Sequence, residues 1–141
     1  MNSMIEPKKN PSTDPIDEAQ RYLENARAIL RECGDYDPEL DRYGDPKYVR
    51  AAGNYLWQGV LIALDAVFHV QNDLSQRVDI KDYKAAVARR DRKLLSWVVD
   101  GYQVMHLSMN YDGAQSKNVC DEGFRLAENI VNKCMTMMPQ S

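Results

Sequence analysis

The amino-acid sequence predicts an all-α fold, namely an antiparallel up-down helical bundle of four long helices and one short helix. Three observations carry this prediction. Apolar residues recur at steps of three and four along several segments, as they do on one face of a helix. Two segments open with Asp-Pro, which is a signal for a helix start. No segment alternates apolar and polar residues over a useful strand length, and most connections are short.

Length and composition fit one foldable domain. The chain has 141 residues, of which 44% are hydrophobic and 28% are charged. A chain of this length buries roughly two-thirds of its unfolded surface around one core. Residues 1–13 mix prolines with lysine and asparagine and contain no long apolar run. We therefore expect a disordered N-terminal tail over 1–13 and a single helical bundle domain over 14–138.

The first helix is predicted to begin at Pro15, with Asp14 as its N-cap and Gly34 as its C-terminal stop. Its apolar stripe consists of Ile16, Ala19, Leu23, Ala26 and Leu30. Residues 35–44 are rich in Asp, Tyr, Pro and Gly, which favours an ordered loop over another long helix.

The second helix is predicted to open at Asp45 and Pro46 and to run to about Val70. It is apolar on two faces, which indicates a central position or a shared one. Gly53 and Gly59 each cost about 1 kcal/mol relative to alanine in a helix interior, so a neighbouring element should approach closely there. Another helix of the bundle or a second subunit would satisfy this expectation.

Three further helices complete the bundle. After a polar linker over 71–77, a short helix is expected over 79–90 and a third long helix over about 91–109, although Gly101 weakens its continuity. The last helix is expected over about 116–137, because its apolar residues keep a helical period.

Charge and hydropathy argue against two classes of partner. The net charge is −3, from 18 basic and 21 acidic residues, so no dominant attraction to nucleic acid is indicated. The longest apolar run, 60–68, is interrupted by Asp65 and is far shorter than the roughly 20 residues of a membrane helix. The three cysteines lack the spacing of zinc or redox sites. We expect a cytoplasmic protein without a membrane partner.

No motif identifies a reaction. A nucleophile elbow, a phosphate-binding loop and a dinucleotide fingerprint are all missing from the sequence. Neither His69 nor His106 belongs to a ligand pattern such as HExxH, so neither a metal site nor a cofactor is predicted. The sequence therefore predicts binding rather than catalysis.

Five residues are candidates for a binding site, namely Asn54, Asp65, His69, Tyr111 and Asp112. Asp65 and His69 lie one turn apart on an apolar helix, where a general base or half of a metal site is conceivable. The commoner arrangement is a carboxylate paired with a neighbouring polar group. Tyr111 and Asp112 belong to the turn before the last helix. If these groups met in one cavity, a small ligand would fit there.

A basic cluster interrupts the otherwise balanced charge pattern, and it consists of Lys84, Arg89, Arg90, Arg92 and Lys93. A solvated helix face, with Asp82 and Asp91 as counter-charges, is the simpler interpretation. A phosphate site is the alternative.

A family resemblance is carried by the segments YLENARAIL, DPKYVRAAGNYLWQGVLIALDAVF, RDRKLL and NYDG. They resemble an uncharacterised bacterial domain-of-unknown-function family with an HEPN-like helical fold. The likeness covers about 16–131, and 47–66 is its most specific part. It implies an HEPN-like, often dimeric bundle in a superfamily of toxin ribonucleases, nucleotide-linked proteins and inactive interaction domains.

The nuclease members of that superfamily carry an arginine and a later histidine that are separated by four to six intervening residues. Here the corresponding positions hold Val99, Asp100 and Gly101 before His106, and Ile62, Ala63 and Leu64 before His69. The Arg-His pair is therefore missing from this chain.

Two functional hypotheses follow. The first is a non-catalytic homodimeric interaction module, suggested by the two-faced second helix and its glycines, with a further protein partner allowed. The alternative is an HEPN-like nucleotide- or RNA-binding protein, related to toxin-antitoxin systems, that lacks the nuclease motif and uses the basic cluster with the Tyr111–Asp112 turn.

Overall fold

The order of elements confirms the all-α prediction. The structure is a computed structural model that describes residues 14–70 and 79–139. The elements are α1 (Pro15–Cys33), β1 (Tyr36–Asp37), β2 (Arg42–Tyr43), α2 (Pro46–Phe68), α3 (Ile80–Ala88), α4 (Arg92–Gly101), a π-helix (Tyr102–Tyr111) and α5 (Lys117–Met137). The predicted disordered tail and the predicted polar linker lie outside the described residues.

The four long helical segments run up, down, up and down. Tyr55 of α2 lies beside Tyr22 of α1, and Gly59 approaches Ala19, so these two helices run in opposite directions. The helices α2 and π also run in opposite directions, and so do the π-helix and α5. The predicted antiparallel arrangement is therefore present, with α3 as the short additional helix.

Each of the five α-helices begins at a residue whose side chain accepts a hydrogen bond from the first turn. These N-caps are Asp14, Asp45, Asp79, Asp91 and Ser116. Such a bond satisfies a backbone N–H that has no partner within the helix. The two Asp-Pro signals in the sequence thus mark the observed starts of α1 and α2.

Helix α2 lies at the centre of the core and packs against α1, α3, the π-helix and α5. Its first apolar face is buried throughout, as Val49, Ala52, Leu56, Val60, Ala63 and Val67. On its second face Trp57 and Leu64 are also buried. The central position explains why α2 is apolar on two faces. Within the described ranges no helix, α2 included, combines the length and apolar character needed to cross a membrane.

Both glycines of α2 are contacted from within the same chain. A Cβ atom at Gly53 would lie 2.6 Å from the backbone nitrogen of Asn110 in the π-helix. A Cβ atom at Gly59 would lie 2.8 Å from Leu23 Cδ1 and 3.0 Å from the carbonyl oxygen of Ala19 in α1. The close approach at both glycines is therefore made by neighbouring helices of the same chain, which is the first of the two predicted alternatives.

The third long helix differs from its prediction, because it is α-helical only to Gly101 and then continues as a π-helix to Tyr111. The backbone N–H of Asp112 donates to the carbonyl of Leu107, five residues earlier, at 2.9 Å. π-Helical geometry is rare and is found mostly as single turns, often at functional sites. Gly101 therefore marks a change of helix type where the sequence suggested a weak point.

The segment between α1 and α2 is an ordered loop, as predicted, and it contains a small hairpin that was not expected. Tyr36 pairs with Tyr43 across the two strands, and their rings lie 5.6 Å apart. The N–H of Tyr43 also donates to the carbonyl of Gln115 at 2.8 Å, which ties the hairpin to the start of α5. Helix α1 ends at Gly34, as predicted. The backbone turns left-handed only at the next residue, Asp35, which has φ 57°.

Candidate functional site

A cavity of about 340 Å³ opens between α2, α3 and the π-helix. It is lined by Trp57, Gln58, Leu61, Asp79, Ile80, Tyr83, Tyr102 and His106. This volume is at the lower end of the range of about 300–1,000 Å³ that is typical of small-molecule sites. Mostly apolar walls with a few polar groups are the usual composition of such sites.

Three rings form one wall of the cavity. The Trp57 ring meets Tyr102 edge to face, with centroids 5.7 Å apart. His106 is stacked on Trp57 at 6.0 Å with an interplanar angle of 29°, and it lies 5.2 Å from Tyr102. These separations fall in the range where aromatic pairs attract each other beyond simple burial. The wall is therefore a packed ring cluster that offers flat surfaces to a ligand.

The helix change after Gly101 positions two members of this wall. Tyr102 is the first residue of the π-helix and His106 follows four residues later. A Cβ atom at Gly101 would lie 2.5 Å from the terminal methyl of Met105, so the glycine leaves room for that buried side chain. With Met105 held in the core, Tyr102 and His106 line the cavity.

His106 is the titratable group of the ring cluster. Its Nδ1 atom is buried and has no hydrogen-bond partner among the described residues. Burial lowers the pKa of the imidazole below its ordinary value, because the charged form loses hydration without gaining an acceptor. His106 is therefore neutral at pH 7.

Helix α3 forms another wall and is fastened to α2 by a side-chain hydrogen bond. The Tyr83 hydroxyl donates to Asp65 Oδ2 at 3.0 Å. Burial and the neighbouring carboxylate raise the pKa of Tyr83 well above its usual range. Asp65 is thus a structural partner of Tyr83, which is the commoner arrangement considered from the sequence.

Two polar residues complete the lining. Gln58 lies on the exposed side of α2, and Asp79 lies at the start of α3. The Asp79 carboxylate accepts a hydrogen bond from the Lys81 N–H at 2.8 Å, so the helix cap fixes its place. Asp79 therefore brings a formal negative charge to the cavity.

The five candidate residues from the sequence do not share one cavity. Asn54 is exposed on α2, and it lies about 16 Å from Asp65 along the helix axis, since each residue adds about 1.5 Å. His69 is the left-handed C-cap of α2, with φ 53°, and its N–H donates to the carbonyl of Asp65 at 2.9 Å. None of these three residues lines the cavity described above.

Tyr111 and Asp112 lie at the end of the π-helix and are both exposed. Arg50 Nε donates to the carbonyl oxygen of Tyr111 at 3.4 Å, which connects this turn to the start of α2. The Tyr111 ring meets His106 edge to face at 6.1 Å. Tyr111 therefore contacts a residue of the cavity wall without lining the cavity itself.

The basic cluster lies at the junction of α3 and α4, and none of its five residues lines the aromatic cavity. Two of its cations rest on aromatic rings. The Arg90 guanidinium is 5.2 Å from the ring centroid of Phe68, and Lys93 Nζ is 5.6 Å from that of Trp97. Such contacts stabilise exposed cations modestly. The Arg90 and Lys93 side chains therefore pack against aromatic rings of the bundle.

The expected counter-charges of the cluster have other partners. Asp82 accepts a hydrogen bond from the Asp79 N–H at 3.1 Å within a capping box. Asp91 caps α4 and pairs with Lys133 at 3.3 Å. The pKa of Asp91 is lowered below its ordinary value, and the largest cause is the hydrogen bond from the Leu94 N–H. Asp82 and Asp91 therefore cap helices, and their interpretation as counter-charges of the cluster stays a prediction.

The residues that line the cavity were not among the candidates predicted from the sequence. Trp57 was part of the apolar pattern of the second helix, and His106 was considered only as a metal or nuclease histidine. One signal was available, because Tyr102 and His106 are four residues apart and so share a helix face. The facing position of Trp57 on α2 depends on tertiary packing, which the sequence pattern does not show.

The fold is an all-α domain that contains a small cavity with an aromatic wall. The chain belongs to the DUF5618 family, described as a domain of unknown function, whose profile matches residues 14–136. It is also similar to a solved structure of a protein of unknown function from Dyadobacter fermentans. That likeness has 36% identity and a TM-score of 0.82, covering 92% of this chain and 100% of that one. No curated protein matches the chain.

Family membership confirms the resemblance to a domain-of-unknown-function family. The HEPN-like relationship stays a prediction, because neither the family description nor the solved structure refers to it. The division of the chain into a tail and a domain over 14–138 likewise stays a prediction.

Proposed function

We propose that this domain is a non-catalytic binding protein that takes a small planar ligand in the cavity between α2, α3 and the π-helix. The observation that carries the proposal is the ring cluster of Trp57, Tyr102 and His106 along one wall. A flat ligand can stack on such a surface, and stacking on protein aromatics is worth about 1–3 kcal/mol per ring.

The walls that face the ring cluster support this proposal. Leu61 and Ile80 supply apolar surface, while Gln58 supplies an amide that can donate and accept. The Tyr83 hydroxyl is bonded to Asp65 and its raised pKa makes it a poor acid at neutral pH. The cavity therefore suits recognition of a ring better than proton transfer to it.

Titration of planar compounds into the Trp97→Phe variant tests the proposal, because Trp57 is then the only tryptophan. Planar rings such as quinoline, indole and adenine are expected to change the Trp57 fluorescence saturably, whereas cyclohexanol is not. Replacing Tyr102 by leucine should weaken ring binding about tenfold, since it removes one stacking surface.

The matched control is Tyr55→Leu, which removes a half-buried tyrosine ring of α2 that does not line the cavity. Its ring affinities should equal those of the parent protein. Absence of saturable binding by every planar ring, in a variant whose thermal unfolding is intact, would overturn the proposed function.

Nucleotide or RNA binding through the basic cluster has weaker support. The cluster and the Tyr111–Asp112 turn do not line the aromatic cavity, and two cluster cations rest on rings of the bundle. Among the described residues that line the cavity there is no arginine beside His106. This arrangement offers no partner for the Arg-His chemistry of the superfamily nucleases.

The homodimer stays a prediction from the sequence. Its original support is reduced, because Gly53 and Gly59 are both contacted by helices of the same chain. Light scattering on a concentrated sample is the direct measurement. A mass twice that of the chain would support the interaction module, and a monomer at high concentration would remove it.

A cytoplasmic location is part of the proposal, and the state of the cysteines supports it. Cys33 is exposed, Cys120 and Cys134 are buried, and all three are free thiols. Free cysteines are typical of reducing compartments. Burial raises the pKa of Cys120 and of Cys134 to about 12, so these two thiols are protected as well as unpaired.

A further inference from the structure

The charge of the cavity restricts which planar ligand fits. Among the described residues that line it, Asp79 is the one carboxylate, and none is an arginine or a lysine. His106 is neutral at pH 7, so Asp79 gives the lining its formal charge, which is negative. Among the described lining residues a phosphate group would meet a carboxylate and no cation, an unfavourable pairing in a partly enclosed space.

The tautomer of His106 restricts the ligand further. Nδ1 is buried without a partner, whereas Nε2 is not among the buried unpartnered atoms, although the residue lines the cavity. A buried N–H without an acceptor is rarer in proteins than a buried acceptor without a donor. The proton of the neutral ring therefore belongs on Nε2, so Nε2 is the atom through which His106 can donate a hydrogen bond.

We propose that the ligand is an uncharged or cationic heteroaromatic base that accepts a hydrogen bond from His106 Nε2 and directs an amino group toward Asp79. A free nucleobase or a nucleoside has this chemistry, whereas a phosphorylated nucleotide adds the wrong charge. The inference rests on the proposed function, since it names the class of planar ligand that the same cavity takes.

The experiment compares each nucleoside with its own 5′-monophosphate in the Trp97→Phe variant, with Trp57 fluorescence as the signal. We expect at least one nucleoside to bind at least tenfold more tightly than its monophosphate. Replacing His106 by phenylalanine keeps an aromatic ring and removes the donor. Nucleoside affinity should then fall about tenfold, while affinity for naphthalene sulfonamide, chosen for its flat carbocycle, should stay within threefold.

Asp79→Asn is the charge test, because asparagine caps a helix about as well as aspartate. The variant should keep α3 in place, as its thermal unfolding will show. The preference for the nucleoside over the monophosphate should shrink from tenfold to less than threefold. Lys81→Gln is the matched control, since Lys81 is exposed, neighbours Asp79 and does not line the cavity.

Three results would overturn the inference while leaving the proposed function intact, provided that other planar rings bind. The first is a monophosphate that binds as tightly as its nucleoside, and the second is a preference unchanged by Asp79→Asn. The third is binding of carbocyclic rings without binding of any base. If no planar ring binds at all, the inference and the proposed function fail together.

Discussion

Replacing Gly53 by alanine is expected to lower the free energy of unfolding by about 2 kcal/mol. The added Cβ would lie 2.6 Å from the backbone nitrogen of Asn110 and 2.8 Å from the carbonyl oxygen of Met105. Backbone atoms cannot move aside as a side chain can, so α2 and the π-helix must separate. Overpacking typically costs about 1–3 kcal/mol, and contact with backbone atoms places Gly53 at the upper end, so a loss of about 2 kcal/mol remains after the gain of about 1 kcal/mol in helix propensity.

Gly101→Ala is the matched control for that prediction. A methyl group at Gly101 would meet the terminal methyl of Met105 at 2.5 Å, and its next neighbour, Ile130 Cδ1, would be 3.4 Å away. The Met105 methyl can rotate away, while alanine improves the helix propensity by about 1 kcal/mol. Urea denaturation should show a change below about 1 kcal/mol. Equal losses in the two variants would contradict the close helix approach at Gly53.

This helix approach also shows what could be predicted from the sequence. Glycine inside a strongly apolar helix signalled a close neighbour at Gly53 and Gly59, and both neighbours exist. The identity of the neighbour was not accessible, because a helix of the same chain and a second subunit impose the same steric requirement. Only the tertiary arrangement distinguishes them.

Helix boundaries were predictable where a side-chain cap marks them. Asp14 and Asp45 each precede a proline, and α1 and α2 begin at those prolines. The π-helix was not predictable in the same way. Its buried residues Met105 and Met109 are four residues apart, a spacing that an α-helix also satisfies. Over ten residues, the apolar pattern does not separate the two helix types.

The candidate site illustrates a different limit. Asp65 was identified as a polar residue on an apolar helix, and its partner Tyr83 lies 18 positions later on another helix. Their hydrogen bond fastens α3 to α2 and so helps to form the cavity. Sequence reasoning located a structurally important carboxylate, whereas the ring cluster depends on which faces of α2 and the π-helix meet.

The π-helix links the core to the cavity. Met105 and Met109 are fully buried on its inner side, while Tyr102 and His106 line the cavity on another side. A change that loosens the two methionines should therefore disturb the ring cluster as well. Ligand binding should in turn stabilise the π-helix, because a ligand that binds only the folded state raises the free energy of unfolding.

Replacing Met109 by alanine is expected to lower the free energy of unfolding by about 3 kcal/mol, which is within the range for buried methionines. Met109 is fully buried, and its sulfur would lie 2.6 Å from a Cβ atom at Gly123. The truncation leaves a cavity between α2, α5 and the π-helix, which the rigid helices can fill only in part.

A second substitution makes this prediction specific. With the Met109 sulfur removed, alanine at Gly123 has room for its methyl group, because its other neighbours would be 3.6 Å away. Gly123→Ala should then recover about 1 kcal/mol from helix propensity and partial filling of the cavity.

Gly53→Ala is the control and should recover nothing in the same background, since its conflicts are with backbone atoms and with Met109 Cβ, which alanine retains. A double-mutant cycle by urea denaturation measures both couplings. Rescue by Gly53→Ala, or strict additivity for Gly123→Ala, would show that Met109 does not fill the space between these two glycines.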